Sequence, residues 1–331
     1  MTKKWDAGSL IGTSSAYWRG CTLQAAVRLE VFTVLGKQQK SLESISKAIK
    51  SDQRGTEFLL NGLSGMELLE KSGQSYQNSP GTYELLSKDS PRYIGHIILH
   101  HHHILDGWAQ LDRAVRTGAP IDKRSYGEET ERESFLMGMF NLAMGTAPVL
   151  AGAIDLSGKN RLLDLGGGPG TFAIHFCMAN PGLQGVVFDR STTEPFMRKT
   201  VASFDLSERI DFLSGDFNQD KFGAESFDVA WLSHVLHSNG PEECENIVRK
   251  VYEVLEPGGL ILVHDFILAD TKDSPEFGTL FSLNMLINNP NGRSYSAAEI
   301  TAMLEKAGFS DCSLIDPGTP NQSLVMAASK L

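Results

Sequence analysis

The sequence predicts an α/β protein: a Rossmann-like, mostly parallel sheet with helices on both faces, preceded by a mainly helical domain. From about residue 157, short apolar runs alternate with amphipathic segments, in the series RLLDLG, LQGVVFD, IDFLSGD, FDVAWLSHVL and LILVHDFIL. This is the pattern of βαβ units, whose crossovers cover both faces of a sheet. Residues 1 to about 150 read instead as helix after helix. The length of 331 residues also favours two domains over one, drawn here as 1–150 and 151–331.

Within the first domain, SSAYWRGCTLQAAVRLEVFTVL places Ala16, Leu23, Ala26, Val27 and Phe32 at roughly helical spacing. SLESISKAIK opens on Ser41, which can cap a helix carrying Leu42, Ile45 and Ile49. RGTEFLLNGLSGMELLEKSG continues helically, and QSYQNSPGTYELL predicts a short hairpin about its Asn-Ser-Pro-Gly turn. Helices followed by a small hairpin is the order of a winged helix. The candidate recognition helix, Arg54–Leu69, is nearly devoid of basic side chains, so a packing or dimerisation module is expected rather than a DNA reader.

Composition narrows the function classes. Hydrophobic residues at 41% and charged residues at 21% suffice for a large core. A net charge of −10 argues against a general nucleic-acid or anionic-membrane surface. The N-terminus MTKKWDAGSLIG lacks the apolar stretch of a signal peptide, and no run is read as reaching the length of a membrane span. Cys21, Cys177, Cys244 and Cys312 are scattered without CxxC spacing, which indicates neither a disulfide framework nor a zinc knuckle. A soluble, cytoplasmic protein is expected, with neither nucleic acid nor membrane as partner.

Parallel sheets bind ligands beyond the carboxyl ends of their strands. The first strand ends in LLDLGGGPGTFAI, where Asp164, Gly166, Gly168 and Gly170 form a glycine-rich turn into a helix. Glycines there let a ligand approach the main chain closely. Dinucleotide enzymes use a similar turn, but two features favour S-adenosylmethionine. Asp164 can reach a methionine ammonium, and Pro169 interrupts a loop that would otherwise hold pyrophosphate. Asp189 closes the second strand, suited to ribose hydroxyls. The third strand ends in SGDF, placing Asp216 for an adenine amine and Phe217 over its ring. Ser233, at the end of the fourth strand, completes the expected cofactor set. The next stretch, SHVLHSNG, carries His234 and His237 at a spacing that fits one helical face or the end of a strand. Residues alone leave open whether either is a base or a packing group.

Taken together, these motifs resemble the class I methyltransferases, and within them the dimeric O-methyltransferase family of plant phenolic and bacterial natural-product enzymes. The resemblance rests on LLDLGGGPG, VVFD, SGDF and LEPGGLILVHDFIL, the Trp-bearing LDGWAQLDRAVRTG, and the closing YSAAEITAMLEKAGF. It implies S-adenosylmethionine as cofactor, a small-molecule methyl acceptor, and a homodimer formed through the N-terminal domain, burying more than roughly 2,000 Å². The family's L-H-D-W segment, whose histidine is the general base, reads LHSNG here, so the resemblance assigns that role to His237 and leaves His234 as packing beside the cofactor. Asp265 stands where the family keeps an acid, usually Glu, to orient the base. A second acid is replaced by Ser294 in NNPNGRSYS. By the same resemblance Phe140, Met144, Met285, Asn289 and His103 wall the acceptor pocket, closed by the partner's chain near Tyr17 and Trp18. His96, His100 and His103 have metal-ligating spacing on one helix, although the family implies no metal. The lost acid keeps two rivals in view, thiol or carbon methylation and a non-methylating S-adenosylmethionine enzyme. A winged-helix regulator is opposed by the lack of a basic recognition helix.

Overall fold

A computed structural model describes residues 5–122, 124–223 and 226–331. Two compact units divide the chain: Met1–His103 with Ser125–Asn141, and Ile104–Arg124 with Leu142–Leu331. Contacts therefore do not follow a single cut at residue 150. Residues 104–124 group with the sheet-bearing unit because the Trp108 indole donates to Asn284 Oδ1 (3.1 Å) and the Ile121 N–H to the Ile287 carbonyl (3.1 Å).

The first unit opens with α1 (Ala7–Ser15), α2 (Tyr17–Arg28) and α3 (Val31–Leu35). The run read as continuously helical breaks at Glu30, whose φ of 57° is left-handed. β1 (Lys40–Ser41), α4 (Leu42–Ala48), α5 (Gln53–Gly65), β2 (Leu69–Ser72), β3 (Ser75–Asn78) and α6 (Thr82–Leu86) follow. Ser41 caps α4 as expected, its hydroxyl accepting from the Ser44 N–H. The hairpin lies one strand earlier than the sequence suggests. β2 and β3 turn at Gly73, where a φ of +58° suits glycine. The Asn-Ser-Pro-Gly stretch instead leads from β3 into α6, and the Asn78 amide donates to the carbonyls of Phe32 and Gly36. Val31, Phe32, Leu35, Ile45, Leu60, Leu63 and Tyr76 form the unit's core.

Next come α7 (Gly95–Trp108), α8 (Leu111–Thr117) and α9 (Glu128–Ala153). Contrary to the sequence reading, α9 is long and apolar enough, by length and composition alone, to cross a membrane: 26 residues with a mean hydropathy of 1.4 over its best window. Residues 134–154 carry no charged side chain, and glycines at 138, 145 and 152 disguise the run in the sequence. The helix nevertheless starts on Glu128, Glu129 and Glu131 and sends Ala147 and Leu150 into the core beneath the sheet, as a core helix of a globular domain does.

The remaining elements are β4 (Arg161–Leu165), α10 (Thr171–Ala179), β5 (Gln184–Asp189), α11 (Glu194–Ala202), β6 (Ile210–Ser214), β7 (Phe227–Ser233), α12 (Pro241–Val254), β8 (Leu255–Asp265), α13 (Glu276–Asn288), α14 (Ala297–Ala307), β9 (Phe309–Ile315) and β10 (Leu324–Lys330). The five expected strands are all present and parallel. The seven-stranded sheet has the order β6-β5-β4-β7-β8-β10-β9 and is mixed, because β10 runs antiparallel to both β8 and β9. Eight residues join β9 to β10, too few for the crossover that a parallel pair requires. Alternate strand residues fill the two faces: Leu163 and Leu165 with α12 and α14 residues on one, Leu162 and Trp231 with α10 residues on the other.

Arg209 fastens the connections around β5, its guanidinium donating to the carbonyls of Cys177 (2.9 Å), Asn180 (2.7 Å) and Leu183 (2.6 Å). Arg209→Met should lower the unfolding free energy by about 2 kcal/mol, as loss of charged hydrogen bonds does. The measurement is a urea midpoint at unchanged slope. An unmoved midpoint would mean that water serves those carbonyls equally well.

Candidate active site

Along the chain, the strands build outward from β4 to β5 and β6, then return to lay β7 and β8 on the other side of β4. Connections leave the carboxyl ends of β4 and β7 in opposite directions, which opens a crevice there. Two segments border it, the glycine turn after β4 and residues 234–240 after β7.

Gly166, Gly168 and Gly170 all have positive φ, at 65°, 55° and 77°, so the turn demands glycine at alternate positions. Asp164 is fully buried beneath it. One carboxylate oxygen accepts from the Ala173 N–H at 3.1 Å, and the other has no hydrogen-bond partner among the described residues. A Cβ on Gly167 would lie 2.6 Å from the Asp164 carboxyl carbon, whereas one on Gly168 would meet nothing within 4 Å. The main chain at Gly168 is thus open to a ligand. Asp189 accepts from the Gly168 N–H (2.9 Å), the Arg190 N–H (2.6 Å) and the Thr193 hydroxyl (3.3 Å). Burial raises its pKa, opposed by these donors. The Phe217 ring stands 3.6 Å from where a Gly166 Cβ would be. Asp216 accepts from the Asn218 N–H, with the Arg190 guanidinium 4.0 Å away. An approachable turn flanked by a carboxylate at the end of β5 and an aromatic ring fits S-adenosylmethionine. Ser233 stands apart from this group, since its hydroxyl pairs with His264 Nδ1 at 2.8 Å.

β7 ends at Ser233, and His234 then turns the chain with a left-handed φ of 58°. A short 3₁₀ turn, Leu236–Ser238, carries His237. Both histidines therefore lie just beyond the strand end, one at the bend and one on the short turn, instead of sharing a helical face. His237 Nδ1 lies 2.8 Å from Asp265 Oδ1, and His234 Nδ1 lies 3.4 Å from the same oxygen. The Phe266 N–H donates to it as well, at 2.9 Å. Burial alone would raise the Asp265 pKa, but the two imidazoles outweigh it and hold the carboxyl far below its usual range. His264, completely buried, stacks on Trp231 and bonds Ser233 and Ser323 through its two nitrogens. Burial keeps its pKa well below that of a free imidazole, so it is neutral.

Sequence reasoning missed the clamp on this turn. The Asn289 amide donates to the Ser238 carbonyl (2.8 Å), the Arg293 N–H to the His237 carbonyl (2.8 Å), and the Tyr295 hydroxyl to the Asn239 carbonyl (2.7 Å). Asn289 Oδ1 also accepts from the N–H groups of Asn291 and Gly292, which commits its amide to the backbone and removes it as an evident acceptor ligand. Ser294 is buried with its hydroxyl on the Gly278 carbonyl, so it does not replace the absent acid. Met285 is buried on α13, and Phe281 of the same helix meets the His237 ring at 4.8 Å between centroids. Phe140 and His103 belong to the first unit and Met144 to the second. His103 stacks on Tyr126. The other spaced histidines of α7 likewise face aromatic rings, His96 on Tyr93 and His100 on Phe135, instead of converging.

The buried Asp164 generates a test. Burial raises its pKa to about 7 from 3.8, opposed in part by the Ala173 N–H. A raised acid pKa in the folded state means that the stability it permits is present below the unfolded value and lost as pH rises through the folded one. Relative to Asp164→Asn, the wild-type protein should therefore lose stability between pH 3.8 and about 7. Chemical unfolding of both proteins without cofactor, at several pH values, measures the difference. A difference that does not vary with pH would place Asp164 in the ionised form throughout.

Comparison with known proteins agrees with this geometry. Residues 102–310 match the O-methyltransferase domain, and residues 12–88 match the O-methyltransferase dimerisation domain. The tetracenomycin polyketide synthesis 8-O-methyl transferase TcmO of Streptomyces glaucescens is 32% identical over 92% of this chain and 91% of its own length. The 3-hydroxy-5-methyl-1-naphthoate 3-O-methyltransferase of Streptomyces sahachiroi is 29% identical over 97% of this chain and 94% of its own. The crystal structure of human N-acetylserotonin methyltransferase in complex with S-adenosylmethionine superposes with a TM-score of 0.87 at 25% identity, covering 100% of this chain and 99% of that one. This chain belongs to the S-adenosylmethionine-dependent O-methyltransferase family, enzymes that methylate hydroxyl groups of small molecules.

Proposed function

We propose that His237 is the general base of this O-methyltransferase and that Asp265 orients it. The observation that carries this reading is the 2.8 Å contact between His237 Nδ1 and the buried Asp265 carboxylate. An ionised Asp265 fixes the Nδ1–H tautomer and leaves Nε2 as the basic nitrogen. When bound, S-adenosylmethionine supplies a methyl group activated by its sulfonium. The protein's part is to hold the cofactor at Asp164, Gly166, Gly168, Asp189, Asp216 and Phe217. Met144 and Met285, both of the second unit, are proposed to contact the acceptor. Alignment of the hydroxyl accounts for up to roughly 7–11 kcal/mol of barrier lowering, and proton removal by His237 for a further 10²–10⁴-fold or so.

An aromatic hydroxyl is the proposed acceptor. Two of the relatives act, by their names, on a polyketide and a hydroxynaphthoate, and Phe266, Phe277 and Phe281 cluster beside the two histidines. The intact base–carboxylate pair favours hydroxyl methylation over the non-methylating alternative. All four cysteines are unpaired, in keeping with a reducing, cytoplasmic setting.

We further propose a homodimer through the N-terminal unit. α1 buries none of its side chains, and Ile11, Tyr17, Trp18 and Phe58 are 69%, 60%, 64% and 58% exposed. A second copy of a chain that carries a dimerisation domain accounts for apolar surface of this kind.

His237→Ala should lower kcat by about 10²-fold or more and leave affinity for S-adenosylmethionine nearly unchanged. Asp265→Asn should fall between that variant and the parent. Equal methyl transfer by His237→Ala at saturating substrate and neutral pH would remove the base role. Light scattering at micromolar concentration should return the dimer mass, and a monomer there would exclude the assembly.

A further inference from the structure

The site holds one more donor than base catalysis needs. His234, His237 and Asp265 each offer a ligand atom, and these three atoms lie within 4.8 Å of one another. We propose that they form a binding site for a divalent transition metal such as zinc, and that occupation of this site disables His237 as a base. The second half of the proposal rests on the general-base reading above; the first half does not.

Zinc bonds imidazole nitrogen at about 2.0–2.1 Å and carboxylate oxygen at about 2.0–2.2 Å, so neighbouring ligand atoms in a tetrahedral site stand roughly 3.4 Å apart. The His234–Asp265 separation is 3.4 Å and the His237–Asp265 separation 2.8 Å. To admit the ion, the His237–Asp265 pair must open by about 0.6 Å, and the two imidazoles, whose ligand atoms lie within 4.8 Å, must turn onto it. Both histidines already turn Nδ1 toward one carboxylate, and the left-handed backbone at His234 brings its ring there. Two imidazoles and one carboxylate leave a fourth position for water or an acceptor oxygen, the ligand number of an open zinc site. His264 is not a fourth ligand, because both its nitrogens are bonded to serine hydroxyls. Nor does the α7 histidine run compete as a formed site, its rings being dispersed over separate aromatic partners.

The consequence for catalysis follows from tautomers. With the Asp265 hydrogen bond in place, the single ring hydrogen of neutral His237 sits on Nδ1 and the lone pair on Nε2. A metal ion takes the Nδ1 lone pair, so the hydrogen passes through solvent to Nε2. No bond to carbon changes and no electron moves, but Nε2 can no longer accept the proton of the hydroxyl.

The test uses the full-length protein and zinc chloride in a non-chelating buffer. Calorimetry should find one site per chain in the parent and in His101→Asn, and at least tenfold weaker binding in His234→Phe. S-adenosylhomocysteine binding by each variant checks that it is folded. Cobalt(II) added to the parent alone should give the visible absorption of a four-coordinate ion. Zinc should inhibit methyl transfer reversibly on addition of EDTA. The zinc concentration for half inhibition should rise at least tenfold in His234→Phe, each variant being referred to its own metal-free rate. Absence of a stoichiometric site, or equal zinc affinity in parent and His234→Phe, overturns the site. A zinc-loaded enzyme that turns over at the metal-free rate overturns the disabling step. Failure of the base reading shows up separately, as a normal metal-free rate in His237→Ala with zinc binding by the parent intact.

Discussion

One oxygen of Asp265 accepts from three N–H groups, two imidazoles and the Phe266 amide, and the catalytic end of the sheet is organised around it. An ion removed from water costs several kcal/mol unless hydrogen bonds and opposite charge compensate. The last residue of β8 and the one after it supply the carboxylate and the amide, while the segment that follows β7 must supply the imidazoles. It can do so because β7 and β8 pair in parallel with Ser233 opposite His264. The His234 N–H continues that ladder by donating to the His264 carbonyl at 2.9 Å. A slip of one residue would turn the side chains to the other face and separate His237 from Asp265. Sheet register and site chemistry are thus one constraint.

The second support is the loop that enters α14. Asn289, Arg293 and Tyr295 each contact a carbonyl of the 237–239 turn, so His237 is held by its backbone as well as by its ring. Ser294 lies within this clamp, with its hydroxyl on the carbonyl of Gly278. Gly278 itself has little room, since a Cβ there would come 2.8 Å from Leu268. The stretch that in the resembling family carries an acid here serves to position main chain.

The sequence made the sheet legible because parallel strands buried on both faces appear as apolar runs, and each of the five anticipated strands falls on one. The glycine turn was legible for a related reason: left-handed backbone at Gly166, Gly168 and Gly170 admits little else. The antiparallel β9 and β10 were missed, since SDCSLI and SLVMAASK alternate weakly. The hairpin was misplaced because Pro80 and Gly81 are stronger turn signals than the Gly73 that makes the turn. Most of all, sequence gave His234 no partner. Its contact with Asp265 spans 31 positions and depends on register and a left-handed residue, neither of which spacing reports. The clamp from Tyr295 to Asn239 spans 56 positions and was invisible for the same reason.

Ser294 is engaged with the Gly278 carbonyl, and Asp265 is the carboxylate that meets the two imidazoles. In the proposed mechanism, removal of a proton from the hydroxyl would turn His237 into a cation beside the Asp265 anion, a pair that is neutral as a whole. Coulomb attraction within that pair is stronger in the buried site than in water, so one well-held acid can stabilise the imidazolium. His234 shares the same oxygen at the longer distance of 3.4 Å and adds a donor to it. Three donors on one oxygen of Asp265 thus outweigh the cost of its burial and hold the carboxylate in its ionised form.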